Sequence, residues 1–264
     1  MEQKIPELIK RIEEEKKITI IFAVEVGSRA WELNSKESDY DVRFVFHRSL
    51  EDYISITKFD EQIDVGFDKD LKQRERDGAY IEMSGFDIFK YCKLLSSCNL
   101  ASIDWVNSNI VYYGNKEELK NFVENNFNRP KLFIQYYCTA KGSLKSHMTS
   151  KNINIKKYLH VMLLILNAEY ILKFKKLPNT SMIKNLEELE KDIPTEVVQK
   201  IKELIELKKN GHGKDNKEIP VLDKYYNQIF ERYKSLGYEK KIKEEKSMDI
   251  NFLNQYIQKL IIKK

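Results

Sequence analysis

Cysteine is scarce in this chain of 264 residues, and the cysteine spacing argues against zinc sites and disulfides. Cys92, Cys98 and Cys138 are odd in number and lack the paired spacing of a zinc site. A disulfide framework is not expected either. We therefore expect reduced thiols and a cytoplasmic protein.

Long apolar segments, repeats and low-complexity tracts are also absent. No apolar run approaches the roughly 18 to 20 residues that span a bilayer, and the first residues predict a charged helix rather than a signal peptide. We therefore expect no membrane partner. Charged residues make up 33% of the chain and aromatic residues 11%, a composition typical of a soluble globular protein rather than a disordered one.

The stretch from residue 24 to residue 46 predicts the functional centre. Residues 18–26 (ITIIFAVEV) are rich in β-branched and aromatic side chains and predict a strand that ends at Gly27, which tolerates a tight turn. Residues 41–46 (DVRFVF) predict a second strand. Because residues two apart in an extended chain point to the same face, Asp39 and Asp41 should project together.

Two carboxylates on one face favour a Mg²⁺ site. Such ions are usually held by one or two carboxylates together with waters and substrate phosphates, so a nucleotide or another phosphate ester is the expected partner. Gly27-Ser28 suits that partner, since a strand-to-helix turn presents backbone N–H groups to a phosphate. The structural alternative is that Ser28 only caps a helix, Asp39 belongs to a turn and Asp41 solvates a strand end.

Three segments in order carry a resemblance to a known family. They are GSRAWELNSKESDYDVRFVF, MSGFDIFKYCKLLSSCNLASIDWVNSNIVYY and NIKKYLHVMLLIL. The first resembles the Gly-Ser and Asp-x-Asp signature of the DNA polymerase β-like nucleotidyltransferase superfamily. Together, over about residues 18–175, they resemble the YcgL-like nucleotidyltransferases, which include members associated with RNA ligases.

The resemblance implies a third carboxylate on a neighbouring strand. Glu82, three positions before the Gly-aromatic-Asp of residues 85–87, matches the family position, although the family's usual residue there is aspartate. Asp64, in the alternating stretch 61–67, is the rival. We favour Glu82 because residues 79–84 predict a strand that runs directly into a helix, whereas Asp64 falls in an apparent insertion hairpin.

Three basic residues complete the predicted nucleotide site. Arg29 follows Ser28 and is the expected contact of the triphosphate or the acceptor. The family has a Lys-Lys-Tyr-Leu sequence at the start of a helix, and the resemblance places Lys156 and Lys157 there. Lysines at a helix start could neutralise a triphosphate, but they are also ordinary solvated residues.

The order of the predicted elements indicates an α+β fold. Strands and short helices occupy residues 1–115, which we expect to form a polymerase β-like catalytic domain with a mixed sheet. From residue 116 onward the apolar spacing is almost entirely helical, with prolines at several boundaries. Residues 116–264 are therefore predicted to form an all-helical domain that closes the nucleotide cleft.

These expectations define a metal-dependent nucleotidyltransferase. Asp39, Asp41 and Glu82 would be the catalytic residues and would hold two Mg²⁺ ions, with Mn²⁺ as an alternative. Gly27, Ser28, Arg29, Lys156 and Lys157 would bind the nucleoside triphosphate. The resemblance suggests an RNA end as acceptor, with a protein as the alternative, and the net charge of +5 does not decide between them. The competing hypothesis is a degenerate protein that binds nucleotide without turnover.

Overall fold

The computed structural model describes residues 1–149, 154–243, 245 and 248–262, in which the chain forms strands and many helices. The strands are β1 (Thr19–Glu25), β2 (Tyr40–His47), β3 (Gln62–Phe67), β4 (Gln73–Arg74), β5 (Ile81–Asp87) and β6 (Val111–Gly114). The helices are α1 (Ile5–Lys16), α2 (Gly27–Ala30), α3 (Leu50–Tyr53), α4 (Ile88–Ser96), α5 (Leu100–Asn107), α6 (Glu117–Asn126), α7 (Arg129–Thr149), α8 (Ile155–Phe174), α9 (Met182–Leu189), α10 (Thr195–Lys209), α11 (Pro220–Ser235), α12 (Tyr238–Lys241) and α13 (Ile250–Ile261). The predicted α+β class is confirmed.

The chain divides into two compact units. The sheet unit contains residues 1–30, 39–126 and 247–264, and the helical unit contains residues 31–38 and 127–246. These units do not coincide with the predicted division at residue 115. Helices α6 and α13 belong to the sheet unit, where the rings of Phe122 and Phe252 stack with centroids 4.0 Å apart. The predicted functional division into two domains stays a prediction.

The sheet unit is built on a six-stranded mixed sheet with the order β4-β3-β5-β2-β1-β6. Strands β2 and β5 run parallel, and the other neighbours are antiparallel. A parallel pair needs a long crossover connection, which residues 48–80 provide. The result places β2, the strand that carries Asp41, between β5 and β1.

The two faces of this sheet have different coverings. Helix α1 presents Ile5, Leu8, Ile9 and Ile12 to one face, where the apolar core includes Val42, Phe44 and Phe46 of β2. On the opposite face Phe86 of β5 stacks on Trp105 of α5, with ring centroids 4.5 Å apart. Because side chains alternate along a strand, Glu82 and Ser84 share the face of Phe86 but lie nearer the start of β5.

The helical unit is organised around α8. Thirteen of its residues are buried, and they occur on every side of the helix, as expected for a helix at the centre of a core. The side chain of Asn154 caps its start by accepting a hydrogen bond from the backbone N–H of Lys157 at 3.0 Å.

No helix in the part of the chain that the structure describes is both long enough and apolar enough to cross a membrane.

Candidate active site

Asp41 and Glu82 occupy neighbouring positions on one face of the sheet. They are register partners in the parallel pair of β2 and β5, and partners in neighbouring strands about 4.8 Å apart project side by side. Both residues are half-buried. The sequence predicted each strand, and the pairing brings their two carboxylates onto the same surface.

The backbone of Gly27 lies directly against the carboxylate of Asp41. A Cβ atom at Gly27 would fall 2.4 Å from Asp41 Oδ2, far inside van der Waals contact. Gly27 also has a φ of +68°, a left-handed conformation that favours glycine. The bend is fixed further by a hydrogen bond of 2.9 Å from the backbone N–H of Val26 to the carbonyl of Asp41. Only glycine therefore fits between the end of β1 and this acidic side chain.

Arg43 lies on the same face and pairs with Asp41. Its Nη2 atom is 3.5 Å from Asp41 Oδ1, and its Nη1 donates to the carbonyl of Val42 at 3.0 Å. Arginine beside a carboxylate favours the charged form of the acid. This ion pair places the Arg43 guanidinium beside the Asp41 carboxylate.

Asp39 and Arg29 lie at the start of β2. Asp39 is exposed and precedes the first strand residue, and its carbonyl accepts a hydrogen bond of 3.1 Å from Arg29 Nε. The Arg29 guanidinium carbon also stands 3.7 Å from the ring centroid of Tyr40. Arg29 thus braces the turn that leads into β2, a role that the sequence did not predict; its contact with a triphosphate stays a prediction.

Asp64, the rival third carboxylate, also lies on this face. It pairs in register with Ser84 of β5, two residues along the strand from Glu82. Partial burial would favour its neutral form, but hydrogen bonds from Ser84 and Gln62 and the charge of Arg76 hold the pKa of Asp64 below its usual value. Arg76 Nη1 lies 3.2 Å from Asp64 Oδ1. Asp64 is thus paired with Arg76, whereas Glu82 is the register partner of Asp41 and its Oε1 accepts a hydrogen bond of 3.3 Å from the backbone N–H of Gly78.

A metal ion would meet oxygen donors at this surface. Carboxylates are the ligands that Mg²⁺ prefers, and the register partners Asp41 and Glu82 both offer carboxylate oxygens. Within the described residues, however, no three histidine, cysteine, aspartate or glutamate side chains form a group that could hold a metal. Joint ligation by Asp39, Asp41 and Glu82 stays a prediction.

Glu25 is a further acidic residue that contacts Asp41, and it was not predicted from the sequence. Its side chain is fully buried, Oε1 accepts from the backbone N–H of Asp41 at 2.8 Å, and Oε2 accepts from the Tyr112 hydroxyl at 2.7 Å. Burial raises the pKa of Glu25 to about 7, although the hydrogen bonds from Asp41 and Tyr112 lower it. An acidic residue inside the apolar run of β1 was the available signal.

Lys156 and Lys157 begin α8 in the helical unit. Lys156 is exposed and Lys157 is half-buried, with its backbone N–H bonded to the cap residue Asn154. A helix start with two cations suits an anion. Their contact with nucleotide stays a prediction.

Comparison with known proteins shows a family match over nearly the whole chain and one similar curated protein. The family RlaP, described as the RNA repair pathway DNA polymerase beta family, matches residues 1–259. An uncharacterized protein of Bacillus subtilis (strain 168), YcgL, is 29% identical over 262 residues, which cover 97% of this chain and 95% of the relative.

Two solved structures were also found. Spectinomycin adenyltransferase AAD(9) from Enterococcus faecialis, solved with ATP and spectinomycin, is 14% identical with a TM-score of 0.49, over 89% of this chain and 99% of that chain. A nucleotidyltransferase-like protein from Exiguobacterium sibiricum 255-15 is 12% identical with a TM-score of 0.31, over 79% and 78%.

The family match assigns the chain to the polymerase β-like nucleotidyltransferases. The chain belongs to the RNA repair pathway DNA polymerase beta family, whose model covers nearly its whole length. The predicted resemblance is thereby confirmed, and the protein is an enzyme of nucleoside monophosphate transfer.

Proposed function

We propose that this enzyme transfers a nucleoside monophosphate from a nucleoside triphosphate to a hydroxyl group of an RNA end, with the help of bound Mg²⁺. The close approach of Gly27 to the Asp41 carboxylate, beside Glu82, is the observation that carries the proposal. The family description, which names RNA repair, supports RNA as acceptor. A cytoplasmic location, expected from the cysteine pattern, belongs to the same proposal.

The acidic residues would act at the α-phosphate. Asp39, Asp41 and Glu82 would hold two Mg²⁺ ions, with Mn²⁺ as an alternative, and bound ions supply charge neutralisation to the attacking and leaving oxygens. The acceptor hydroxyl oxygen forms a bond to the α-phosphorus, the bond to pyrophosphate breaks, and Glu82 takes the hydroxyl proton.

The remaining residues would bind and orient the triphosphate. The backbone N–H groups at Gly27 and Ser28 and the Ser28 hydroxyl would hold phosphate oxygens, with Arg29 beside them. Lys156 and Lys157 would neutralise further charge. Most of the rate enhancement would then come from positioning and electrostatic stabilisation, since the proposed step is a direct transfer to the acceptor.

The test is a transfer assay in which the label reports donor and acceptor together. The purified protein is incubated with ATP, CTP, GTP or UTP, each labelled at the α-phosphate, with Mg²⁺ and either cellular RNA or protein extract. Label in RNA together with released pyrophosphate supports the proposal. Label in protein would assign the enzyme to protein modification instead.

We expect Asp41→Asn to abolish transfer while the fold is retained. The amide keeps the shape of the side chain but removes the charge that a divalent cation requires, so activity should fall by at least about 100-fold. Labelled transfer and circular dichroism check the two halves of this expectation. Full activity of the variant would contradict the assigned role of Asp41.

A degenerate nucleotide-binding protein is the second candidate. Two observations favour it, namely the Asp41–Arg43 ion pair and the lack of a three-residue metal group in the described part of the chain. In that case labelled ATP should bind to the protein while neither RNA nor protein acquires label. The same assay, run beside equilibrium dialysis, separates the two candidates.

A further inference from the structure

A pocket of about 740 Å³ opens in the helical unit between α7 and α11, and none of its lining residues is assigned above to nucleotide chemistry. Its polar lining comes from Lys141, Lys145, Asn227, Glu231 and Lys234, and Phe230 lies in its wall. The volume is in the range of ordinary ligand sites. It therefore has room for a nucleotide unit of a larger chain.

The charges in this pocket favour an anion. Three lysines face one glutamate, and all four side chains are on exposed residues. Lys141 and Lys145 are four residues apart on α7, so they lie on one face of the helix and bring two positive charges together. An anionic partner would be attracted to this face.

An aromatic ring lies beside one of these lysines. Phe230 is buried, and its ring centroid stands 6.0 Å from that of Tyr137. Lys141 Nζ lies 3.4 Å from the Tyr137 hydroxyl and 5.6 Å from the centroid of its ring. A basic groove with aromatic side chains is the common arrangement for single-stranded nucleic acid, because cations hold the phosphates while rings contact bases.

We propose that this pocket holds the single-stranded part of the acceptor RNA through its phosphates. The inference rests on the proposed function, which makes RNA the acceptor, and adds where the strand binds. The pocket lysines, together with the half-buried ring of Tyr137 beside Lys141, favour a nucleic acid strand over an acidic peptide, which has no bases to stack. Lys141, Lys145 and Lys234 are the phosphate contacts.

The test compares RNA binding by two matched variants. Fluorescence anisotropy with a short labelled single-stranded RNA is measured over a range of salt for wild type and for Lys141→Glu/Lys145→Glu/Lys234→Glu. We expect the dissociation constant to rise at least tenfold. The logarithm of the association constant falls linearly with the logarithm of the salt concentration, by about 0.7 for each single-strand phosphate contact. Loss of three contacts should therefore make this slope shallower by about 2.

The control variant is Lys184→Glu/Lys191→Glu/Lys209→Glu, which makes the same charge change in the same unit but outside the pocket. Its RNA affinity should stay within about twofold of wild type. Equal loss in both triple variants would overturn the proposal, because binding would then follow net charge alone. Equal competition by a polyglutamate peptide would overturn it too, in favour of an acidic peptide.

Nucleotide binding separates this proposal from the proposed function. Labelled ATP should bind the pocket variant as tightly as wild type, and circular dichroism should show the same fold. If wild type labels RNA but the pocket variant does so with an unchanged KM for RNA, the pocket assignment is wrong and the proposed function stands. If RNA binding depends on the pocket but no RNA acquires label, the proposed function fails and the pocket assignment stands.

Discussion

Gly27 has a left-handed backbone conformation and leaves room for the carboxylate of Asp41. Gly27→Ala adds a Cβ atom that meets Asp41 Oδ2 and forces a left-handed conformation on an L-residue, which costs about 1 to 2 kcal/mol. We expect nucleotidyl transfer to fall at least about tenfold because the Asp41 carboxylate must move. Labelled transfer and urea denaturation measure the two effects.

The matched control for Gly27 is Gly237→Ala. Gly237 has a similar φ of +60°, and a Cβ atom there would meet nothing within 4 Å. Its stability should fall by about the same backbone cost, while transfer stays close to wild type. Equal activity of the two variants would contradict the view that the space beside Asp41 matters.

Burial of Lys208 should make the free energy of unfolding depend on pH. Lys208 is 8% exposed, and its Nζ donates to the carbonyl of Leu33 at 2.5 Å. Burial, with a smaller contribution from Lys156, lowers the pKa of Lys208 from 10.5 to about 8. Between these pH values the unfolded chain binds more protons than the folded one, so stability should rise with pH, by about 3 kcal/mol at most.

Lys208→Met should reduce the increase in the free energy of unfolding between pH 8 and pH 10.5. The methionine fills the same space without a charge, although the Leu33 carbonyl loses its donor at a cost of about 1 to 3 kcal/mol. Urea denaturation at several pH values between 8 and 10.5 measures the difference in slope from wild type. Lys209→Met, at the less buried neighbouring position, is the control and should keep the wild-type slope; a flattened slope in both would contradict the assignment.

At the scale of the strand, β5 and β3 compete to supply the third carboxylate. Glu82 is the register partner of Asp41, whereas Asp64 pairs with Ser84 and is held by Arg76. Glu82→Gln should therefore reduce transfer at least about 100-fold, and Asp64→Asn should leave most of it. Rates under saturating nucleotide and Mg²⁺ measure both. The reverse order of effects would assign the role to Asp64.

The sequence predicted individual strands and helices better than it predicted which of them lie beside one another. Alternation in residues 41–46 predicted β2 and the face of Asp41. The strand predicted at residues 79–84 does run directly into a helix, whose start Asp87 caps by accepting a hydrogen bond of 2.9 Å from the backbone N–H of Phe89. Alternation cannot show which strand lies beside which, because pairing is decided by long-range packing. The adjacency of Asp41 and Glu82 and the hydrogen bond of Glu25 to Asp41 therefore needed the structure.

The same limit applies to the whole molecule. Apolar spacing predicted helices in residues 116–264, but α6 and α13 resemble the other helices in sequence pattern and pack in the sheet unit. Their membership depends on particular contacts far apart in the chain, such as the Phe122–Phe252 stack and the pair of Lys259 with Glu118 at 2.8 Å. A local pattern does not contain that information.

Helix α13 should therefore stabilise the sheet unit more than the helical unit. Leu253 is buried in α13, so Leu253→Ala should cost about 2 to 5 kcal/mol. The chain has two tryptophans, Trp105 in the sheet unit and Trp31 in the helical unit. In a Trp31→Phe background the fluorescence of Trp105 reports the sheet unit, and in a Trp105→Phe background Trp31 reports the helical unit.

We expect the denaturation midpoint reported by Trp105 to shift more than that reported by Trp31 when Leu253→Ala is added to each background. Ile250→Ala, at a position that is 58% exposed on the same helix, is the control and should shift neither by more than a few tenths of a kcal/mol. Because a helix stabilises the core in which its apolar face is buried, a larger shift at Trp31 would place α13 energetically with the helical unit and contradict the division seen in the fold.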